Sequence, residues 1–330
     1  MVAYSGGLDS SALLHLSALS LQKKQLAAAH LNHLIRPEAG DDLAFAARTA
    51  AKLNLNFISE EADVPALAAE RRRGLEEAAR FARYSFFRRA AATWKADFVL
   101  TAHQADDQAE TILMHLIKGG GGGGLAGIHP RRKLAGADEA GPELLRPLLP
   151  FSREQLLAWL TERRLDWVED ASNNDGHYLR NALRLDILPK LKELNPRLLE
   201  AMGRTSAIMR DEEHFWKLRL DELWTSLVDA HSRPGQLLID RLQLENLTLA
   251  EKRRIIYECF LHIWRRRPGS PEPLTLAGVD SAIYMLSAAE HKGLDLPGGL
   301  RAELNRRNLV LSLASRLTRP VEHKMSSNNT

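Results

Sequence analysis

Along the first half of the chain, apolar residues alternate between short runs of buried-strand type and longer stretches with helical spacing. Strand-like runs fall at Val2 to Tyr4, Gln25 to Asn32, Asn56 to Ser59 and Asp97 to Thr101, with amphipathic helical stretches between them. That alternation predicts a doubly wound α/β fold, with a parallel sheet, right-handed crossovers and a ligand site at the carboxyl ends of the strands. After Leu149 the pattern turns mostly helical. In "FSREQLLAWLTERRL", Ser152 precedes Gln155 by three positions, a capping box that starts a helix. "ILPKLKELNPRLLEAMGRTSAIMRDEEHFWKLRLDELWTSLV" predicts a long helical connection broken near Pro196, with further helices near Leu249 to Arg266 and Leu274 to Ala288. The closing "LDLPGGLRAELNRRNLVLSLA" predicts a hairpin or a strand pair. The chain is therefore expected to divide into an α/β domain over 1–212 and a mainly helical second domain over 213–322, with a disordered tail over 323–330.

The first strand runs into its helix through a very short turn, "VAYSGGLDSSALLHL", in which Ala12, Leu13, Leu14 and Leu16 mark the inner face of the helix. Gly6 and Gly7 allow positive φ and leave no Cβ in the way, so that backbone N–H groups can converge on a close guest. At a helix N-terminus that guest is an anion such as a phosphate. Ser5, Asp9, Ser10 and Ser11 supply short polar groups for capping, phosphate contact or a metal. No lysine follows as a GxxxxGK[ST] loop requires, and the GxGxxG spacing is absent. A tight turn with an ordinary helix cap accounts for the same residues without any ligand.

Composition narrows the class. A chain of 330 residues with 45% hydrophobic and 26% charged residues is an ordinary globular protein long enough for two cores. No apolar run reaches membrane-spanning length and no basic-then-apolar leader opens the chain, so a cytoplasmic protein with no membrane partner is expected. The one cysteine, Cys259, excludes an intrachain disulfide framework and a Cys-rich metal site, and its apolar neighbours mark it as a core thiol. A net charge of +3 hides clusters of arginine in "ERRRG", "RFARYSFFRR", "WRRRPG" and "RAELNRRN", which suit either solvated helix faces or a phosphate backbone.

Three polar segments sit at or near strand ends. "LTAHQADDQAETILMHLIKG" enters a helix with Asp106 and Glu110 four apart and Asp107 and Glu110 three apart, so all three carboxylates are expected on one side of the first turns, beside His103. Such a cluster complements the helix dipole, binds Mg²⁺ or receives an ammonium group. "AAAHLNHLIRPEAGDD" places His30, Asn32, His33 and Arg36 at another strand exit, suited to hydrogen-bond readout or phosphate contact, since no third metal ligand has a convincing spacing. "WVEDASNNDGHYLRNALR" runs Glu169, Asp170, Ser172, Asn173 and Asn174 into a helix where Arg180 and Arg184 share a face. The glycine run in "KGGGGGGLAGI" reads as a flexible linker or a mobile active-site loop.

Taken together these segments resemble one family. "SGGLDS" looks like the pyrophosphate-binding loop of the N-type ATP pyrophosphatases, and "HLNHLIR", "EEAARFARY", "TAHQADDQAET", "GGLAGI", "RPLL" and "WVEDASNN…RN" follow in the order and approximate spacing of the tRNA(Ile)-lysidine synthetases. The likeness is strong over about Val2 to Leu188 and weaker beyond, where "LDLPGGL" resembles that family's first C-terminal domain. It implies a doubly wound sheet of the PP-loop ATP pyrophosphatase type. It also implies a ligase that uses ATP and Mg²⁺ to adenylate the wobble cytidine of tRNA(Ile) with a CAU anticodon. L-lysine then displaces AMP, which changes codon and amino-acid specificity from methionine to isoleucine. Carried over residue by residue, Ser5, Gly6, Gly7, Leu8, Asp9 and Ser10 hold the ATP phosphates, with His30, Asn32 and His103 at the nucleotide site and Asp9 toward the metal. Asp9, Asp106, Asp107 and Glu110 are the catalytic candidates, and Asp107, Glu110 and Arg180 the lysine-binding ones. A homodimer is left open. Two rivals stand: a tRNA thiolation enzyme, which the single cysteine argues against, and a degenerate RNA-binding protein. The glycine run departs from the family's more varied stretch at that place.

Overall fold

In the computed structural model, residues 1–35, 39–134, 141–169, 179–232, 235–265, 275–287 and 293–314 are described. Arg36, Asp170, Ser172, Asn173, Asn174, Arg266, Arg267 and the expected tail at 323–330 lie outside them.

Two compact units form, Met1–Glu213 and His214–Thr330. The first is built on a six-stranded sheet. Its strands are β1 (Val2–Ala3), β2 (Ala27–Asn32), β3 (Asn56–Glu61), β4 (Phe98–Leu100), β5 (Arg131–Lys133) and β6 (Glu143–Leu145), in the order β3-β2-β1-β4-β6-β5. All neighbours pair in parallel except β5, which closes the edge antiparallel to β6. The strand order reverses between β1 and β4, so the carboxyl ends of these two strands flank the crevice where ligands of such sheets bind.

Both faces of the sheet are covered, which is why β2 reads as an unbroken apolar run in which Ala27, Ala28 and Ala29 are all buried. On one face Val2 and Ala28 pack with Leu13 and Leu14 of α1 (Leu8–Ser20), Ala46 and Ala50 of α2 (Ala39–Lys52), and Leu156 and Leu160 of α7 (Arg153–Glu162). On the other, Ala29 and Val99 meet Phe86 and Phe87 of α4 (Leu75–Trp94), which follows α3 (Val64–Arg71). Successive strand residues thus serve opposite cores, as a period of two requires. The capping box at α7 forms as expected, with Gln155 N–H donating to Ser152 Oγ at 3.2 Å and Ser152 N–H to Gln155 Oε1 at 2.9 Å.

Behind β4 comes α5 (Ala105–Ile117), and then the glycine run. A flexible loop was one expectation there, yet residues 121–125 close a short helix, α6 (Gly121–Leu125). Tertiary fastening explains it. Gln108 donates to Ser206 and accepts from Ile128 N–H at 2.6 Å, and Ser206 donates to the Ala126 carbonyl at 2.6 Å. The helical segments α8 (Leu179–Ala182) and α9 (Leu188–Leu194) are joined by a π turn over Leu183–Ile187. The helical connection breaks at 195–197 beside Pro196 before α10 (Leu198–Leu227).

The second unit carries α11 (Arg241–Asn246), α12 (Leu249–Arg265) and α13 (Leu276–Tyr284). They are accompanied by more strand than the expected closing pair. β7 (Val228–Asp229), β8 (Gln236–Asp240), β9 (Gly293–Leu296), β10 (Leu300–Leu304) and β11 (Asn308–Leu313) make an antiparallel sheet in the order β7-β8-β11-β10-β9. Ile255, Ile256, Cys259, Phe260 and Ile263 of α12 pack with Leu237, Ile239 and Leu311. Burial pushes the Cys259 thiol pKa far up, with Glu258 adding to it, so Cys259 is a core residue. Among the described residues no helix is long and apolar enough to cross a membrane.

Candidate active site

Tyr4 N–H still donates to Ala29 O at 2.8 Å, and past it the chain leaves the sheet through Ser5–Gly7. Gly6 has φ +88°, a conformation only glycine adopts freely, and a Cβ there would meet Phe45 at 3.4 Å. Gly7 does not share it. Its φ is −71°, an extended backbone, so the expectation of two positive-φ glycines is met at one position only. Gly7 is the cap residue of α1 and has no side chain to accept from the first turn. The start of α1 therefore keeps unsatisfied N–H groups and the positive dipole end.

Serines stiffen this turn from within. Ser10 Oγ donates to Gly7 O at 2.9 Å and accepts from Ser5 N–H at 3.2 Å, and lies 3.0 Å from Ser5 Oγ. Ser11 Oγ donates to Gly6 O at 3.1 Å. From outside, Val168 N–H donates to Gly6 O at 2.9 Å and clamps the loop.

Asp9 is split between two states of satisfaction. Its Oδ2 accepts from Arg153 Nη1 at 3.0 Å, whereas Oδ1 is buried with no partner. Burial pushes its pKa up to about 6; Arg153 and Arg184 oppose the rise, and Asp107 and Asp106 add to it.

The acidic helix does not present three carboxylates together. Asp106 turns to other partners, accepting from Lys192 Nζ at 2.6 Å and from Arg153 N–H at 2.9 Å, so it ties α9 and the start of α7 to α5. Asp107 and Glu110 do meet, and they are bridged by two arginines. Glu110, with no exposed surface, accepts from Arg180 Nε at 2.7 Å and from Arg184 Nε at 2.6 Å. Asp107 Oδ1 lies 3.1 Å from Arg180 Nη2 and 3.3 Å from Arg184 Nη2, while its Oδ2 accepts from Gln104 N–H at 3.1 Å. Burial works against the Arg184 charge, but hydrogen bonding and the charges of Glu110 and Asp107 override it and raise its pKa. Two negative and two positive groups thus stand side by side.

Burial holds three imidazoles near the strand ends toward the neutral form. His30 donates from Nδ1 to Tyr4 O at 3.0 Å, which fixes its tautomer, and burial lowers its pKa. His103, 3.1 Å from Thr101 Oγ1 through Nδ1, falls to about 3 because of burial and then of Arg146, Arg180, Arg83 and Arg80. His33 falls to about 4 for similar reasons, burial first and Arg83 next. Asn32 ties the end of β2 to the end of β3 and to the chain that follows β2, donating to Glu61 at 3.2 Å and accepting from Leu34 N–H at 3.1 Å. Arg153 and Lys192 are site residues that sequence reasoning did not single out. Arg153 is simply the first residue of the α7 helix, and nothing local marks either one. Arg184 was visible as the residue sharing a face with Arg180.

A turn with a free helix start, at the switch point of a doubly wound sheet, defines an α/β protein of the class that holds nucleotide phosphates there. The PP-loop domain matches residues 1–191, and the chain belongs to that family. It is also similar to a tRNA(Ile)-lysidine synthase of Geobacter sulfurreducens, 42% identical over 248 residues that cover 74% of this chain and 51% of that protein. A tRNA(Ile)-lysidine synthase of Geobacillus kaustophilus is 33% identical over 305 residues, 91% of this chain and 64% of that protein. A bifunctional TilS/HprT protein of Listeria innocua is 31% identical over 90% of this chain and 45% of its own length. The chain spans about half the length of the curated relatives it matches.

Proposed function

We propose that this protein ligates lysine to C2 of the wobble cytidine of tRNA(Ile), using ATP. The cytidine C2 oxygen attacks the α-phosphorus of ATP and diphosphate leaves. The lysine amine then attacks C2, and the oxygen departs with AMP. The observation that carries the reading is the uncapped start of α1 beside the unpartnered Asp9 Oδ1, in a chain similar to lysidine synthases over most of its length.

The residues present fit these roles. N–H groups at the start of α1 and the Ser5 hydroxyl would face the phosphates, with Ser10 bracing the turn, and being fixed beforehand they would stabilise charge on the leaving diphosphate. Among the described residues no three His, Cys, Asp or Glu side chains are placed to hold a metal by themselves. One buried carboxylate oxygen with no partner suits Mg²⁺, which takes one or two carboxylates plus phosphate oxygens and water. Asp9 would hold it, and when bound it neutralises phosphate charge.

Lysine carries charges of both signs, and so does the cluster of Asp107, Glu110, Arg180 and Arg184. A guanidinium can take the amino-acid carboxylate while a carboxylate turns to the ammonium group. The neutral His30 and His103 add hydrogen-bonding surface without positive charge beside the nucleotide. In this reading the second domain, expected from the sequence over 213–322, grips the tRNA, and the protein works in the cytoplasm. The test is AMP release from ATP with a CAU-anticodon tRNA(Ile) transcript, with and without lysine, and the RNA mass read afterwards. Release that depends on lysine, with the mass of one added lysine less water, supports the reading. Release indifferent to lysine overturns it.

A further inference from the structure

We propose that Arg80, Arg83, Arg132 and Arg146, gathered around Tyr84, form a phosphate-binding basin distinct from the glycine turn, and that it takes a backbone phosphate of the RNA beside the nucleotide to be modified. The choice of RNA rests on the reading above, whereas the basin rests on its own geometry.

Three places in the fold supply it: α4 gives Arg80 and Arg83, β5 gives Arg132, and the residue after β6 is Arg146. The guanidinium carbons of Arg80 and Arg132 lie 5.1 Å and 4.8 Å from the centre of the Tyr84 ring. Arg146 donates to the His129 carbonyl, and it and Tyr84 act on each other electrostatically. It is 6% exposed, and its Nε is buried without a partner. Arg80, Arg83 and Arg132 remain accessible. The basin thus has an open rim and a buried donor at its floor.

None of the four is within ion-pair distance of a carboxylate among the described residues. Their neighbours are: Arg89 on the same helix pairs with Glu60, Arg131 on the same strand with Glu143, and Arg180 with Asp107 and Glu110. Glu76 acts on Arg83 only at longer range. Gathering guanidinium groups with no counter-charge, one of them buried, costs free energy. A ligand that brings the negative charge removes that cost. The guanidinium fork matches phosphate oxygens, and several forks around one site favour a phosphate over a single carboxylate.

The charge reaches the surrounding groups. Burial alone would raise the Tyr84 pKa, yet Arg132, Arg80 and Arg146 bring it down. His103 feels Arg146, Arg83 and Arg80 together with Arg180, so the basin adjoins the Asp107–Glu110 pair. The charges acting most on Asp9 are Arg153, Asp107, Arg184 and Asp106, none of them from the basin.

A phosphate there comes either from RNA or from ATP and its diphosphate product, and binding separates the sources. The full chain is titrated with a CAU anticodon stem-loop at several salt concentrations, and separately with ATP and with diphosphate. Three variants are compared: the double variant Arg83→Ala/Arg132→Ala, the single variant Arg146→Gln, and Arg88→Ala, an exposed control on α4. The double variant should bind the stem-loop at least about tenfold more weakly, with the slope of log K against log salt flattened by about 0.7 to 0.9 per lost contact. Its ATP and diphosphate affinities should match those of the parent, and Arg88→Ala should change nothing. Arg146→Gln should repeat the RNA loss with its circular dichroism intact; if it unfolds, the double variant decides. Unchanged RNA affinity and slope in the double variant would overturn the proposal. So would loss of ATP or diphosphate affinity with RNA binding intact, or an equal loss in Arg88→Ala. Because binding and not turnover is read, RNA held through the basin without lysidine formation refutes the reaction and keeps the basin.

Discussion

Arg184 Nε donates to Glu110 Oε1 across 2.6 Å, and the carboxylate that receives it has no exposed surface. Glu110→Gln removes the charge that holds Arg184 and Arg180 together. Removing one partner of a fully buried pair costs about 3 to 5 kcal/mol. Both arginines keep about a third of their side-chain surface in solvent, so screening brings the expected loss to about 2 kcal/mol. Thermal unfolding should show that loss. If lysine binds here, its KM should also rise by about tenfold or more while adenylation of the tRNA stays near the parental rate. A fall in Tm with an unchanged lysine KM would make Glu110 a strut for the two arginines.

Asp9→Ala should abolish diphosphate release from ATP in a folded protein, because it removes the one carboxylate at the start of α1. Stability should move the other way. A folded pKa of about 6 lies above the ordinary 3.8, so the folded state resists ionisation and Asp9 costs stability increasingly as pH rises from about 4 through 6. Asp9→Asn should therefore unfold at a higher temperature than the parent at pH 8 and lose that advantage near pH 4. Two pKa units set an upper bound of about 3 kcal/mol, from which loss of the Arg153 pair subtracts. A variant less stable than the parent at pH 8 would refute the sign.

His103 has the opposite dependence. Its folded pKa of about 3 lies below the ordinary 6.5, so its contribution is complete above 6.5 and is lost as pH falls toward 3. At a pH about two units below 6.5 the loss is of order 2 to 3 kcal/mol. His103→Gln should flatten the acid limb of a Tm-against-pH curve by that amount. An acid limb identical to the parent's would show that another group is responsible.

Adjacent glycines should respond with opposite signs. At Gly123 an added Cβ would meet only the Glu213 carboxylate at ordinary contact, 3.6 Å, and alanine favours helix, so Gly123→Ala should stabilise by about 0.5 to 1 kcal/mol. At Gly124 the Cβ would lie 2.8 Å from His115 Cβ, and Gly124→Ala should destabilise by about 1 to 3 kcal/mol. Equal Tm values for the two would mean that α6 does not pack on α5 in solution.

What the sequence disclosed was local. The Ser152–Gln155 cap, the break beside Pro196, the strand-to-helix turn and the shared face of Arg180 and Arg184 each follow from residues within a few positions of one another. The bridging of Glu110 by arginines 70 and 74 positions away depends on how the fold closes, and spacing along one helix cannot show it. For the same reason Asp106 belongs with Asp107 and Glu110 on a helical projection, yet Lys192 and Arg153 draw it aside. β5 was missed because "RRK" has neither apolar alternation nor length, and it is a strand only because β6 lies beside it. The helix in the glycine run has no propensity to support it and is held by Gln108 and Ser206.

The clasp between α5 and the segment carrying Arg180 and Arg184 also bears on how the molecule assembles. Each of its contacts joins positions 70 to 77 residues apart. Closing so long a loop costs chain entropy before any contact repays it. The neighbouring helices and the pairing of β5 with β6 close over much shorter spans, so their contacts are expected to form earlier. The place where two carboxylates and two guanidinium groups meet is accordingly expected to form late in folding. A nascent or partly unfolded chain can hold its capped helices and still lack both the charged pocket and the Val168 clamp on the glycine turn, so a ligand that bound there would draw the last step of folding to completion.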